Sequence, residues 1–175
     1  MFSFHLWAEL PPLASKNNSS MVHLDDERWM RIAIEQARLA FAVDEVPVGA
    51  IVVHENKIIG RGFNQREKNH KISGHAEIIA MEEASRYLKS WRLNQCSLFV
   101  TLEPCLMCTG ALIQSRIERV VYGAKDEKTG AITSQIQIHK IPRIQHLPIV
   151  QGGVLEHDCQ DLLRQYFGKK RNEKP

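Results

Sequence analysis

Long apolar runs are missing from this 175-residue chain. None approaches the roughly 18 residues that a membrane helix needs, which excludes a protein that spans a bilayer by helices. The first twenty residues, MFSFHLWAELPPLASKNNSS, lack the basic opening and long apolar centre of a secretory signal. Cysteine is scarce, four in all, and without a secretory signal so few argue against a disulfide scaffold and for a reducing compartment, the cytoplasm. An excess of one charge is lacking too. Lys and Arg total 23 against 20 Asp and Glu, a net charge of +3 that permits a polyanionic partner but is far from the footprint of a DNA coat protein. No internal repeat divides the chain. What is present is 43% hydrophobic composition, enough for one compact domain with a sizeable core.

Pro11 and Pro12, followed by SKNNSS, read as a flexible leader over residues 1–24, with Met21 as an alternative start. From Asp25, Met30, Ala33, Ile34, Ala37 and Phe41 recur at three- and four-residue spacing, which predicts a helix with Asp25 and Asp26 at its start. VPVGAIVVH, EN and KIIGRGFN predict a hairpin over residues 48–64. A helix is expected from about His75 to Leu88, a buried strand in CSLFVTLE, a helix opened by Pro104 and a strand in RVVYG. After Gly130 the pattern predicts loop with one strand, then a last helix with Leu155, Cys159, Leu162, Leu163 and Tyr166 or Phe167 on one face. Strands alternating with helices predict an α/β layered domain over residues 25–172, with residues 173–175 as a tail.

Two short clusters carry the chemistry. Cys105 and Cys108 form a C-x-x-C pair at a predicted helix start, where residues three apart share a face and thiol pKa values fall. His75 completes a set of three zinc ligands if its helix start faces theirs. A structural zinc site takes four protein ligands; three leave a position for water, which is the arrangement of a catalytic site. Glu77, two residues after His75, is then placed to take a proton from that water and deliver it to a leaving group. Alone, C-x-x-C fits a redox pair or half of a structural zinc site equally well. Together with Pro104 the residues make H-x-E…P-C-x-x-C, the signature of zinc nucleobase deaminases. Cys96 and Cys159 lie in apolar contexts and read as core.

Beyond that signature, EVPVGAI, GFN, HAEI, SWRL, LFVTLEPCLMCTGALI, SRIERVVYGAKDEKTG and LLRQYFGKKR resemble the bacterial tRNA-specific adenosine deaminases of the TadA type, in the cytidine-deaminase-like superfamily. The resemblance implies a three-layer α/β/α fold whose central mixed sheet of about five strands has helices on both faces. It implies one Zn2+ per subunit on His75, Cys105 and Cys108, with Glu77 as proton shuttle. Asn64 is implied to contact a flipped adenosine and Val48 to line its pocket. Asp126 and Lys128 are implied to meet flanking nucleotides, and Tyr166, Phe167, Lys169, Lys170 and Arg171 to lie near the anticodon loop. The implied partners are a tRNA anticodon stem-loop, with an arginine tRNA edited at its wobble adenosine, and a second copy of the chain in a homodimer.

Two internal departures from the family pattern stand out. KISG replaces a DPTA element before His75, and Gln145 stands where the family has asparagine. A free-base or nucleoside deaminase acting on cytosine, cytidine or guanine would share the zinc signature but needs none of the RNA-facing set. A zinc-stabilised RNA-binding module without turnover would need no Glu77.

Overall fold

The computed structural model describes residues 16–173, with side chains from residue 25 onward. Helix α1, Lys16–Ala42, is followed by strands β1, Gly49–His54, and β2, Lys57–Phe63. A short helix α2, Arg66–Asn69, and helix α3, Ala76–Leu88, lead to β3, Cys96–Leu102. Helix α4, Leu106–Gln114, and β4, Arg119–Ala124, come next, and β5, Ile149–Gly152, precedes helix α5, Glu156–Asn172.

The five strands form one sheet in the order β2-β1-β3-β4-β5. β1 pairs antiparallel with β2 and β3, whereas β3–β4 and β4–β5 are parallel. Alternation along the central strands assigns each side chain to one of two cores. Ala50, Val52, Leu98, Val100, Val120 and Tyr122 pack with Ala76, Ala80 and Met81 of α3 and Leu112 of α4. Ile51, Val53, Phe99 and Val121 pack on the other face with Trp29, Met30 and Ala33 of α1 and Cys159 of α5. Both faces are covered, so the central strands read as unbroken apolar runs. The three layers expected from the family resemblance are present, and Cys96 and Cys159 are buried core thiols.

Several boundaries differ from their sequence-based expectations. α1 begins at Lys16, nine residues before Asp25, because no proline or glycine interrupts residues 16–24; residues 1–15 of the expected leader lie outside the described residues. Pro104 does not sit in the first turn of α4. Cys105 is the N-cap in extended conformation, and the Pro104 carbonyl instead accepts the Ala131 N–H at 2.9 Å. The hairpin turn falls at Glu55 and Asn56 as expected, both with positive φ, the geometry of a two-residue turn that matches strand twist.

Asp26 serves tertiary structure, not a helix start. Its carboxylate accepts two hydrogen bonds from the Arg119 guanidinium, at 2.6 and 2.5 Å, tying α1 to β4, and its side chain is only 3% exposed. Removing one partner of such a pair leaves a poorly solvated charge. Asp26→Ala is therefore expected to cost about 3 kcal/mol, the low end for buried pairs because Arg119 retains some access to water. Thermal denaturation should show Tm lowered by roughly 6–12 °C; an unchanged Tm would mean that Arg119 finds equal solvation elsewhere.

Candidate active site

His75 and Cys105 are both N-cap residues, of α3 and α4 respectively, and both have extended backbones. Neither side chain caps its own helix, so imidazole and thiol are free to point outward. The first turn of α3 leaves N–H groups without partners inside the helix, and one of them, on Ala76, donates to Asn64 Oδ1 at 3.0 Å. Gly62 on β2 seats this turn. A Cβ there would stand 2.2 Å from the Ala76 carbonyl oxygen, so the strand approaches the helix backbone more closely than any side chain permits. Cys108 lies in the first turn of α4 and faces the same space as Cys105.

The two helix starts face each other. His75 Nδ1 lies 3.7 Å from Cys105 Sγ and 3.5 Å from Cys108 Sγ, and the three donor atoms lie within 4.8 Å of one another. Tetrahedral zinc with bonds of about 2.3 Å to sulfur and about 2.0–2.1 Å to nitrogen places N and S about 3.5 Å apart. The donor triangle therefore has the dimensions, and the imidazole and thiol chemistry, of a site that could hold a metal. It is the one His, Cys, Asp and Glu group among the described residues with that geometry. Hydrogen bonding from the Cys108 thiol, and then from His75, holds Cys105 down at about 4 against the opposing effect of burial. Cys108, on the other side of that hydrogen bond and buried, is pushed up. Hydrogen bonding to Cys105 raises the His75 imidazole, which burial opposes. A divalent metal held here would bind both cysteines as thiolates and displace their protons.

Glu77 belongs to the first turn of α3 and is 4% exposed. Burial raises its carboxyl above the usual range, with the neighbouring Cys105 charge adding to the effect. A carboxyl whose neutral form is favoured in this way can hold a proton as well as accept one.

A cleft of about 200 Å³ opens beside these residues, lined among others by Val48, Asn64, His75, Glu77, Cys105 and Asp126. Ligand pockets commonly span roughly 300–1,000 Å³, so this one suits a single ring system. Val48 is buried in its wall. Because Asn64 spends its oxygen on Ala76, its amide NH2 is the group left for a ligand. Asp126 lines the cleft, but its carboxylate is engaged by the Lys128 and Thr129 N–H groups and the Thr129 hydroxyl, which shapes a tight turn. Lys128 is exposed on that turn and outside the cleft lining.

Residues of α5 stay away from the cleft. Tyr166 is buried, packs edge-on against Phe41 and donates its hydroxyl to the Asp44 carbonyl at 3.0 Å. Phe167 is 46% exposed beside Lys125 and Arg171. Lys170 pairs with Asp44 at 2.5 Å and Lys169 with Glu173 at 3.6 Å, whereas Arg171 is exposed. Gly74 of KISG fits where a Cβ would come within 2.9 Å of the Arg66 Cα, and Gln145 lies outside the cleft, near Trp91 and Arg116.

Two acids that sequence pattern does not distinguish from solvated carboxylates build the cleft walls. Glu45 is buried and accepts the Lys68 N–H at 2.7 Å, holding α2, whose Arg66 and Glu67 also line the cleft. Glu103 is 2% exposed and accepts hydrogen bonds from residues 126–134. Burial pulls the Glu103 carboxyl up, but the Ser134 hydroxyl and the N–H groups of Thr133, Ser134 and Asp126 together hold it below the usual range. The only sequence sign of Glu103 is an acid at the end of an apolar strand, directly before Pro104.

The layered sheet and the donor triangle at two helix starts define the class, a deaminase domain with a cytidine-deaminase-like fold. The family model for MafB19-like deaminases matches residues 24–164. The chain is 43% identical over 150 residues to the tRNA-specific adenosine deaminase of Haemophilus influenzae, covering 85% of this chain and 87% of that one. It is 41% identical over 149 residues to the Bacillus subtilis protein of the same name, covering 85% and 92%. A solved structure from a study of A-to-I editing by tRNA:A34 deaminases at the wobble position superposes with TM-score 0.76 and 38% identity, over 78% of this chain and 99% of that one. This chain belongs to the tRNA-specific adenosine deaminase family.

Proposed function

We propose that this protein hydrolytically deaminates adenosine to inosine at the wobble position of a tRNA anticodon, using one zinc ion per subunit held by His75, Cys105 and Cys108. The observation that carries this reading is the donor triangle with buried Glu77 beside it. Zinc bound there would supply a Lewis acid that makes water nucleophilic near neutral pH. Glu77 takes a proton from the attacking water, which adds at C6 of the adenine. It passes that proton to ring N1, then takes the proton of the resulting C6 hydroxyl and passes it to the departing amine; the C–N bond breaks, the C6 oxygen becomes a carbonyl, and ammonia leaves. The Asn64 amide donates to acceptors on the base, and Val48 packs against the ring.

The target lies in an anticodon loop, so bringing it into the cleft costs less unstacking than extracting it from a duplex. Exposed Phe167 offers a face for a neighbouring base, and Lys128 and Arg171 offer phosphate contacts. Tyr166 acts through packing, and Lys169 and Lys170 are partly neutralised by Glu173 and Asp44. An arginine tRNA is the substrate that the family resemblance favours, and the cytoplasm is where it is met. Among the described residues no helix is long and apolar enough to cross a membrane. Leu106 and Met107, exposed at the start of α4, supply an apolar face for a second copy of the chain.

Incubating the zinc-loaded protein separately with an arginine tRNA, adenosine, cytidine and guanine, and measuring inosine and ammonia, tests the reading. Selective turnover of the tRNA is expected. Turnover of free cytidine or guanine with the tRNA untouched would replace this reading by a small-substrate deaminase.

A further inference from the structure

Glu103 stands two residues before Cys105, where β3 has ended and α4 has not begun. Its carboxylate accepts six hydrogen bonds, all from residues 126–134. Oε1 receives the N–H groups of Ile132 at 3.1 Å, Thr133 at 2.7 Å and Ser134 at 3.0 Å, and the Thr133 hydroxyl at 3.3 Å. Oε2 receives the Asp126 N–H at 3.3 Å and the Ser134 hydroxyl at 2.5 Å. Four of these donors are backbone groups, so the loop is held by its main chain whatever its side chains do.

The surrounding chain is built to let that carboxylate in. A Cβ on Gly130 would lie 2.6 Å from the Glu103 Cδ and Oε2 and 2.6 Å from the Asp126 carbonyl oxygen, so only glycine fits there. Gly130 bridges to Cys105, and the Ala131 N–H donates to the Pro104 carbonyl. The loop is thus tied to both residues that follow Glu103. Its near end carries Asp126 and Thr129, which form one wall of the cleft. Glu103 lines the cleft beside them but is 2% exposed, and its six hydrogen bonds leave its carboxylate no polar capacity for another partner.

We propose that Glu103 is a positioning residue for substrate: it pins the 126–134 loop so that Asp126 and Thr129 form a fixed wall against the target nucleotide. This rests on the reading of a tRNA adenosine as substrate. Glu103 does not touch the reacting atoms, and its contribution is preorganisation of the wall, which a ligand would otherwise have to order on binding.

Glu103→Gln separates this role from general stability. The Gln oxygen can still accept the three N–H groups at the Oε1 position, but its NH2 then faces the Asp126 N–H, donor against donor, and releases that end of the loop. The expected result for the zinc-loaded variant is KM for tRNA raised roughly tenfold or more with kcat within about threefold of the parent, and zinc content unchanged. Amide hydrogen exchange should quicken at Asp126 and its neighbours while α3 and α4 stay protected. Unchanged KM with unchanged exchange in the loop would overturn the proposal, as would a loss of kcat that merely follows loss of zinc. Ser134→Ala, which removes one of the six bonds, supplies the same test in a milder variant and should shift KM in the same direction by less. If the parent does not process tRNA, the substrate reading fails, and exchange at the loop amides alone decides for or against Glu103 as the loop's anchor.

Discussion

Glu77→Ala should bind one zinc ion per chain and deaminate tRNA at least roughly a thousandfold more slowly than the parent, within the range that general acid and base groups contribute. The separation of the two properties is the point of the experiment. Glu77 is not among the donor atoms that converge on the metal position, so its removal leaves His75 Nδ1 and both sulfurs in place. What is lost is a buried cleft carboxyl that burial pushes above the usual range and that can both accept and return a proton. Replacement by Gln should be equally inactive, since the amide preserves shape but cannot carry the proton. Retained turnover in Glu77→Ala, with metal content checked by elemental analysis, would remove Glu77 from the mechanism. Loss of zinc together with activity would make it a ligand or a structural support instead.

Cys105→Ala should lose both metal and turnover. Two donors remain, Cys108 and His75, and a three-ligand site deprived of its most readily ionised sulfur holds zinc weaker by orders of magnitude. The fold should largely survive, because Cys105 packs in neither core. Circular dichroism close to that of the parent, together with less than about a tenth of an equivalent of zinc after dialysis, is the expected pattern. Tight zinc in this variant would break the ligand assignment. Global unfolding would mean that the metal contributes to folding as structural zinc does, and would favour a structural over a catalytic reading of the site.

Taken together, the variants assign separate duties to neighbouring residues. On the proposed function Cys105 would hold the metal, Glu77 would move protons, and Glu103 would shape the wall of the cleft. All three lie where a strand ends or a helix begins, at the end of the sheet where β3 finishes, and each is expected to fail in a different measurement.

Much of this was legible from residue order alone. The apolar runs GAIVVH and CSLFVTL, the turn at Glu55 and Asn56, and the three- and four-residue spacing of Met30, Ala33, Ile34 and Ala37 are local properties. They select strands and a helix regardless of what lies far away. His75, Glu77, Cys105 and Cys108 were legible for a chemical reason: imidazole and thiol beside a carboxylate, at helix-start spacing, is a combination with few purposes. Asn64, Val48, Asp126 and the α5 residues carried meaning only through family resemblance, since a turn asparagine or a strand valine has nothing local to mark it.

Only the tertiary structure decided the rest. It brought two helix starts, 30 residues apart in the chain, to within hydrogen-bonding distance of one another. It made Asp26 the partner of Arg119, not a cap, and it divided an aromatic pair into a buried Tyr166 and an exposed Phe167. It turned Glu45 and Glu103, plain carboxylates in sequence, into buried acceptors for distant backbone N–H groups. The physical reason is common to these cases. A helix or strand is chosen by interactions over a few residues, whereas the burial of a charge and the direction of a hydrogen bond depend on which remote segment the fold places opposite, and residue order does not contain that pairing locally.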